Sequence, residues 1–121
     1  MRKVVSGLIY DTRESELIGK TPMEKYTSHV PDDQYMGDSY CEYYRTKDDR
    51  FFEVTYDYPA SGFIFMSSQR KNLVITLQPI RVTTVINILS YEKKYENKAI
   101  QLREEFKYLY CKANNATWEA E

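Results

Sequence analysis

Ser39-Tyr40-Cys41-Glu42-Tyr43-Tyr44-Arg45-Thr46-Lys47-Asp48-Asp49-Arg50-Phe51-Phe52-Glu53-Val54-Thr55-Tyr56-Asp57-Tyr58 is the stretch on which the fold turns. Two runs rich in aromatic and β-branched residues, 39–46 and 50–58, flank the short polar segment Lys47-Asp48-Asp49, and together they read as a β-hairpin. In the second run Phe52, Val54, Tyr56 and Tyr58 share one face by period-two alternation, with Glu53, Thr55 and Asp57 opposite. That is the pattern of an antiparallel strand with one face turned to water. Tyr40, Tyr43 and Tyr44 fall on both faces of the first run, so at least one of them is expected to point outward.

Working outward, Lys3-Val4-Val5-Ser6-Gly7-Leu8-Ile9-Tyr10 has strand composition broken by a glycine. Thr12-Arg13-Glu14-Ser15 sets a hydroxyl ahead of an acidic residue, a helix-start signal, and the helix is held to one or two turns by Gly19 and Pro22. Residues 20–38 read as a long polar loop. On the other side, Phe63-Ile64-Phe65-Met66 is an apolar patch, a short strand or a loop over the core, and Leu73-Val74-Ile75-Thr76-Leu77 is the last strand candidate, stopped by Pro79. Beyond Pro79 the period changes to that of a helix. Val82, Val85, Ile86 and Leu89 recur at i, i+3, i+4 and i+7, and Tyr95, Ala99, Leu102, Phe106 and Leu109 form a second stripe. These residues make either one bent helix over about 81–113 or two helices meeting near Tyr91–Lys94. The fold class that follows is α+β, a small antiparallel sheet of three to four strands with a C-terminal helix or helix pair packed on one face. The chain of 121 residues reads as a single domain, with sheet to about 78, helix over about 81–113 and a short tail at 114–121.

Composition excludes several classes of chemistry. The 17 Lys and Arg against 18 Asp and Glu give a net charge of −1, which argues against a uniform binder of phosphate backbones. The four glycines are isolated at 7, 19, 37 and 62, so no phosphate-cradling loop exists, and there is no Gly-x-Ser-x-Gly elbow. His29 is the single histidine, and with Cys41 and Cys111 it offers no zinc-ligand spacing. No metal and no cofactor is expected. No apolar run approaches the roughly 20 residues of a membrane span. The N-terminal apolar stretch is too short for a secretion signal, which points to the cytoplasm and reduced cysteines.

Charge is not evenly spread. Residues 24–57 hold nine acidic and four basic side chains, and residues 81–112 hold seven basic and four acidic ones. The acidic pairs Asp32-Asp33 and Asp48-Asp49, with Tyr43 and Tyr44 between them in sequence, form the expected contact surface for a protein partner. The same asymmetry allows head-to-tail self-association. The same residues allow two other functions: an enzyme built on the clustered carboxylates, and a nucleic-acid-binding regulator using the basic C-terminal helix with Tyr91, Tyr95, Tyr108 and Tyr110.

The segments Gly7-Leu8-Ile9-Tyr10-Asp11-Thr12 and Tyr43-Tyr44-Arg45-Thr46-Lys47-Asp48-Asp49-Arg50-Phe51-Phe52 carry a resemblance. The chain resembles a group of small proteins from phages and mobile elements of Gram-positive bacteria. These open with Gly-x-x-Tyr-Asp-Thr and continue with a Tyr-Arg-Thr-Lys, glycine, Arg-Phe-Phe hairpin. The match spans about residues 3–58 and, more loosely, Leu77–Leu89. Asp49 stands where the pattern has a turn glycine, 58–65 replaces a glycine-rich stretch, and the helix from Lys94 onward lies outside the pattern. The genetic setting of that group also holds host-defence antagonists, anti-CRISPR proteins among them. The resemblance therefore implies a non-enzymatic inhibitor, acting in the bacterial cytoplasm, that binds a host protein complex such as a CRISPR–Cas nuclease or effector.

Overall fold

The hairpin at 39–58 forms and is the spine of the sheet. The computed structural model describes residues 1–28, 34–59 and 73–109. Strands β1 (Arg2–Val5) and β2 (Leu8–Asp11) make a separate two-stranded ribbon. A five-stranded sheet is built from β3 (Glu16–Lys20), β4 (Glu24–Ser28), β5 (Gln34–Arg45), β6 (Phe51–Pro59) and β7 (Val74–Ile80). Two helices follow, α1 (Val82–Ser90) and α2 (Glu96–Glu105). The class is α+β as expected, with one or two more strands in the main sheet.

β5 and β6 pair antiparallel from Arg45 opposite Phe51 to Gly37 opposite Pro59. β7 runs antiparallel along the far side of β6. The other side of the long strand β5 is shared, its second half pairing with β3 and its first half with β4. Thr21 joins the two partners: its amide donates to the Cys41 carbonyl and its hydroxyl accepts from the Cys41 amide, both at 2.9 Å.

The break expected at Gly7 is present, and two other local expectations are corrected. The glycine in the first segment ends a strand and turns the chain, because Ser6 and Gly7 both have positive φ (51° and 79°), the backbone of a two-residue hairpin turn. The helix start at Thr12 is a single 3-10 turn, Thr12–Glu14, capped by the Asp11 carboxylate, which accepts from the Arg13 amide at 2.9 Å. Leu17-Ile18 then belongs to β3, where Ile18 is buried beneath the helices. Residues 24–28 and 34–38, read as loop, are strands. Glu24-Lys25-Tyr26-Thr27-Ser28 has no apolar alternation, so its strand state comes from pairing with β5 and not from its own composition. Residues 29–33, the 63–66 patch and the tail at 114–121 lie outside the described residues.

Neighbouring residues of a strand point to opposite faces. Tyr43 and Tyr44 on β5, like Phe51 and Phe52 on β6, are both buried, so the sheet is covered on two sides at this end. On one side Tyr43, Phe51 and Ile18 pack with Val82, Val85, Ile86 and Leu89 of α1 and Ala99 and Leu102 of α2. On the other, Tyr44, Phe52, Val54 and Leu77 pack under Tyr10 and Val5 of the N-terminal ribbon. The alternation read in β6 is correct. The face expected to be wet, with Glu53 and Thr55, is the one that carries the helices, through Phe51.

Both apolar stripes of the C-terminal region face the sheet, except that Leu109 is half exposed. α1 ends at Tyr91, which is 89% exposed, and a 3-10 turn at Lys93–Tyr95 restarts the chain into α2. Two helices are therefore present, not one bent helix.

The β5–β6 turn explains the acidic pair within it. Thr46 and Arg50 close the loop, with the Thr46 amide donating to the Arg50 carbonyl at 2.8 Å and the Arg50 amide to the Thr46 hydroxyl at 2.9 Å. Asp49 takes φ +63°, the left-handed conformation that favours glycine, at the position where the resembling pattern has one. Asp49→Gly is expected to be more stable than Asp49→Ala by about 1 kcal/mol, since both lose the carboxylate but only alanine carries the Cβ strain. Urea unfolding of the two variants checks this, and equal midpoints would remove the strain argument.

Candidate protein-interaction surface

The residues expected to form the contact surface are separated by the fold. Asp32 and Asp33 lie outside the described residues. Tyr43 and Tyr44 are core residues, 2% and 8% exposed, and so are not available to a partner. The reason is that each face of the sheet has its own cover at this point, so neither side of the aromatic pair is left to solvent. The Tyr43 hydroxyl donates to Glu53 Oε2 at 2.8 Å and the Tyr44 hydroxyl to Glu42 Oε1 at 3.0 Å.

Asp48 and Asp49 are exposed, but their carboxylates are engaged by the turn itself. Asp48 accepts from the Thr46 hydroxyl at 2.6 Å and from Arg50 Nε at 3.0 and 3.1 Å. The hydrogen bond from Arg50 is the main cause holding its carboxyl below the usual range. Asp49 accepts from Arg45 Nε and Nη2 at 3.0 and 2.8 Å. Arg45 also pairs with Glu105 and lies over the rings of Phe51 and Phe106, at 5.9 and 5.3 Å from their centroids, which ties the end of α2 to the hairpin. The acidity of the turn is thus internally compensated.

What the hairpin does present is a tyrosine ladder at its other end. Tyr40 on β5 lies directly opposite Tyr56 on β6, their rings stacked at 4.8 Å between centroids and 9° between planes. Tyr58, two residues further along the same face of β6, stacks on Tyr40 at 6.4 Å and 15°. Tyr40 and Tyr58 are half-buried and belong to neither core cluster; Tyr56 packs against the edge of the ribbon-side core. Glu42, on the same face, accepts from the Tyr44 hydroxyl and hydrogen-bonds Tyr56, and so anchors the base of the ladder. The register sets Lys20 opposite Glu42 and Lys25 opposite Asp38. Exposed Ile75 lies opposite Tyr56 on β7. Stacked rings, a carboxylate at their base and an apolar edge are the ingredients of a protein-binding face.

Of the hairpin tyrosines expected to face outward, Tyr43 and Tyr44 are buried and Tyr40 lies outside both cores. The signal that could have found the ladder was available: Tyr40, Tyr56 and Tyr58 share a face once Tyr44 is paired with Phe52. Knowing which end of that face is covered required the position of the N-terminal ribbon.

Burial and the acidic partners raise the affinity of these phenols for their protons. Burial, followed by the bond to Glu42, pushes Tyr44 up to about 12, and burial and the bond to Glu53 raise Tyr43. Tyr56 and Tyr40 are raised as well, again chiefly by burial. A folded value above the unfolded value of about 10 means that the native state holds more protons at high pH. The stabilisation is full below about pH 10 and is lost as pH rises from there through the folded values. Tyr43 and Tyr44 are each expected to lower stability by about 1.4 kcal/mol per pH unit over that range. An absorbance titration of tyrosinate should therefore lag in the folded protein and jump on alkaline unfolding. Ionisation of all the tyrosines at an ordinary midpoint with the fold intact would contradict it.

Among the described residues no three His, Cys, Asp or Glu side chains gather as a metal-binding group, and no helix is long and apolar enough to cross a membrane. Cys41 is half-buried, and burial pushes its thiol up. His29 and Cys111 are outside the described residues. Comparison with protein-family models, with curated proteins and with solved structures finds no match to the chain.

Proposed function

We propose that this chain is a non-enzymatic interaction protein whose tyrosine ladder docks on a basic, arginine-bearing surface of a host protein complex. The observation that carries the reading is the Tyr40–Tyr56–Tyr58 stack on the sheet, with Glu42 at its base and Asp38 beside it. A guanidinium stacks on a tyrosine face by cation–π attraction and pairs with a carboxylate, so the ladder and Glu42 offer both contacts to one arginine-rich segment. Rigid aromatic rings of this kind supply much of the energy of protein interfaces. The resemblance to small phage and mobile-element proteins supplies the class of partner: a host-defence complex, in the first instance a CRISPR–Cas effector. Nucleic-acid grooves of such effectors are necessarily basic. Occupying one with tyrosine and carboxylate side chains would block the nucleic acid, the anti-CRISPR mode of inhibition.

The test is interference by a panel of CRISPR–Cas systems in cells with and without this protein, followed by pull-down of the protected effector. Tyr58→Ala is expected to weaken capture by about tenfold or more while leaving the fold intact, because the ring lies outside both cores. Failure to protect against any system would sink the inhibitor reading. Undiminished capture by Tyr58→Ala and Tyr40→Ala would sink the ladder as the contact surface. Gel-shift titration across salt separates the alternative, a nucleic-acid regulator, which would bind directly and with a steep salt slope.

A further inference from the structure

A second site lies at the opposite end of the hairpin, where a cavity of about 730 Å³ opens between the N-terminal ribbon, the β5–β6 turn, the start of α1 and the residues after α2. That volume is within the range of pockets that hold small organic ligands. Its wall is mainly apolar, with Phe51, Ile80, Val82 and Phe106 contributing, and its charged lining is Asp49, Arg50 and Arg81.

Of these three, Asp49 and Arg50 are ion-paired and Arg81 is not, among the described residues. Asp49 is committed to Arg45 through two hydrogen bonds of 2.8 and 3.0 Å. Arg50 gives Nε to Asp48 and lies 4.8 Å over the Tyr10 ring, which fixes the guanidinium at the cavity. The Tyr10 hydroxyl also interacts with this guanidinium, while its Nη1 is buried and makes no hydrogen bond among the described residues. Arg81 makes no ion pair among them either. Val82 and Thr83, the first residues of α1, complete the lining, and Arg81 at the N-cap makes no side-chain cap bond to them. A buried guanidinium N–H without an acceptor is unfavourable until something supplies one, and the unpaired Arg81 on the wall of the same cavity favours an anion.

We propose that this cavity binds a small organic anion, with a ring-sized apolar body against Phe51, Ile80 and Phe106 and a carboxylate or phosphate head taken by Arg50 and Arg81. Both heads share the chemistry the two arginines recognise, and the experiment separates them.

The full chain is titrated with phenyl phosphate, benzoate, inorganic phosphate and benzyl alcohol, by calorimetry and by amide chemical shifts. At least one of the two ring-bearing anions should saturate, moving the amides of Tyr10, Val82 and Thr83, and whichever binds more tightly identifies the head. Inorganic phosphate and neutral benzyl alcohol should each bind about tenfold more weakly or not at all, since each lacks one half of the recognition. Arg81→Gln should weaken the preferred anion by about tenfold with no change in melting temperature, because Arg81 is exposed and makes no ion pair among the described residues. Arg50→Lys, which keeps the charge but removes Nη1, should weaken it as well. No saturation by either anion up to about 10 mM, equal binding of benzyl alcohol, or an Arg81→Gln affinity equal to that of the parent would overturn the proposal.

Discussion

Phe52→Ala is expected to remove about 3–5 kcal/mol of stability, a large part of what a domain of this size possesses. Phe52 is fully buried, stacks on Tyr44 at 5.0 Å and meets the edge of Tyr10 at 5.5 Å. Removing the ring leaves a cavity beneath the N-terminal ribbon. That ribbon is a two-stranded hairpin, too small to be stable without the surface it covers. Phe51→Ala should be similarly destabilising but loosen the opposite layer, since Phe51 packs with α1 and α2 and against Phe106 at 5.5 Å. Urea unfolding gives the size of each effect. Native-state hydrogen exchange gives its direction, with faster exchange in β1 and β2 for Phe52→Ala and in the helices for Phe51→Ala. Tyr58→Ala is the control and should lose less than about 1 kcal/mol, the scale of a cross-strand pair. The same exchange pattern for both phenylalanine variants would refute the two-sided core.

The second large effect is expected at Gly19. Its backbone does not need glycine for its dihedral angles; what it needs is the missing side chain. A Cβ built there would sit 2.4 Å from Leu89 Cδ2 and 3.4 Å from the Tyr95 ring. Leu89 is buried and held in the helix-side cluster, so it has little room to retreat. Gly19→Ala should cost about 1–3 kcal/mol by overpacking, and Leu89→Ala about 2–5 kcal/mol by leaving a void. The double variant should cost clearly less than the sum, because the new methyl enters the space that leucine vacates. Strict additivity in a denaturant double-mutant cycle would show that the close approach of α1 to β3 is not what Gly19 serves.

The fold was legible where composition and periodicity agreed. Residues 39–58 alternate and carry β-branched and aromatic side chains around a polar turn, and the hairpin forms there with Arg45 opposite Phe51. Val82, Val85, Ile86 and Leu89 all reach the core from one helix face. It was not legible at Glu24–Ser28, which has no apolar face of its own and is a strand through its hydrogen bonds to β5. The strand at Leu17-Ile18 is hidden in the sequence for a related reason. Two aliphatic residues before a glycine fit the end of a helix as well as a strand, and only the helix pair packing on Ile18 distinguishes them.

The candidate surface divides in the same way. That tyrosines of the hairpin would face outward follows from alternation, which is local. Which ones do is decided by what covers each face, and that depends on residues 2–11 and 82–102, far away in the chain. The acidic turn was visible as composition, but its carboxylates are taken by Arg45, Arg50 and Thr46, and such pairings follow from turn geometry.

By itself, then, the sequence determined the α+β class, the central hairpin and the helical face, because alternation and helical period are properties of neighbouring residues. The tertiary structure alone decided that the sheet is covered on both sides at Tyr43-Tyr44 and Phe51-Phe52, leaving the half-buried Tyr40 and Tyr58 outside both cores. Burial is set by contacts between segments distant in sequence, and no local pattern carries them.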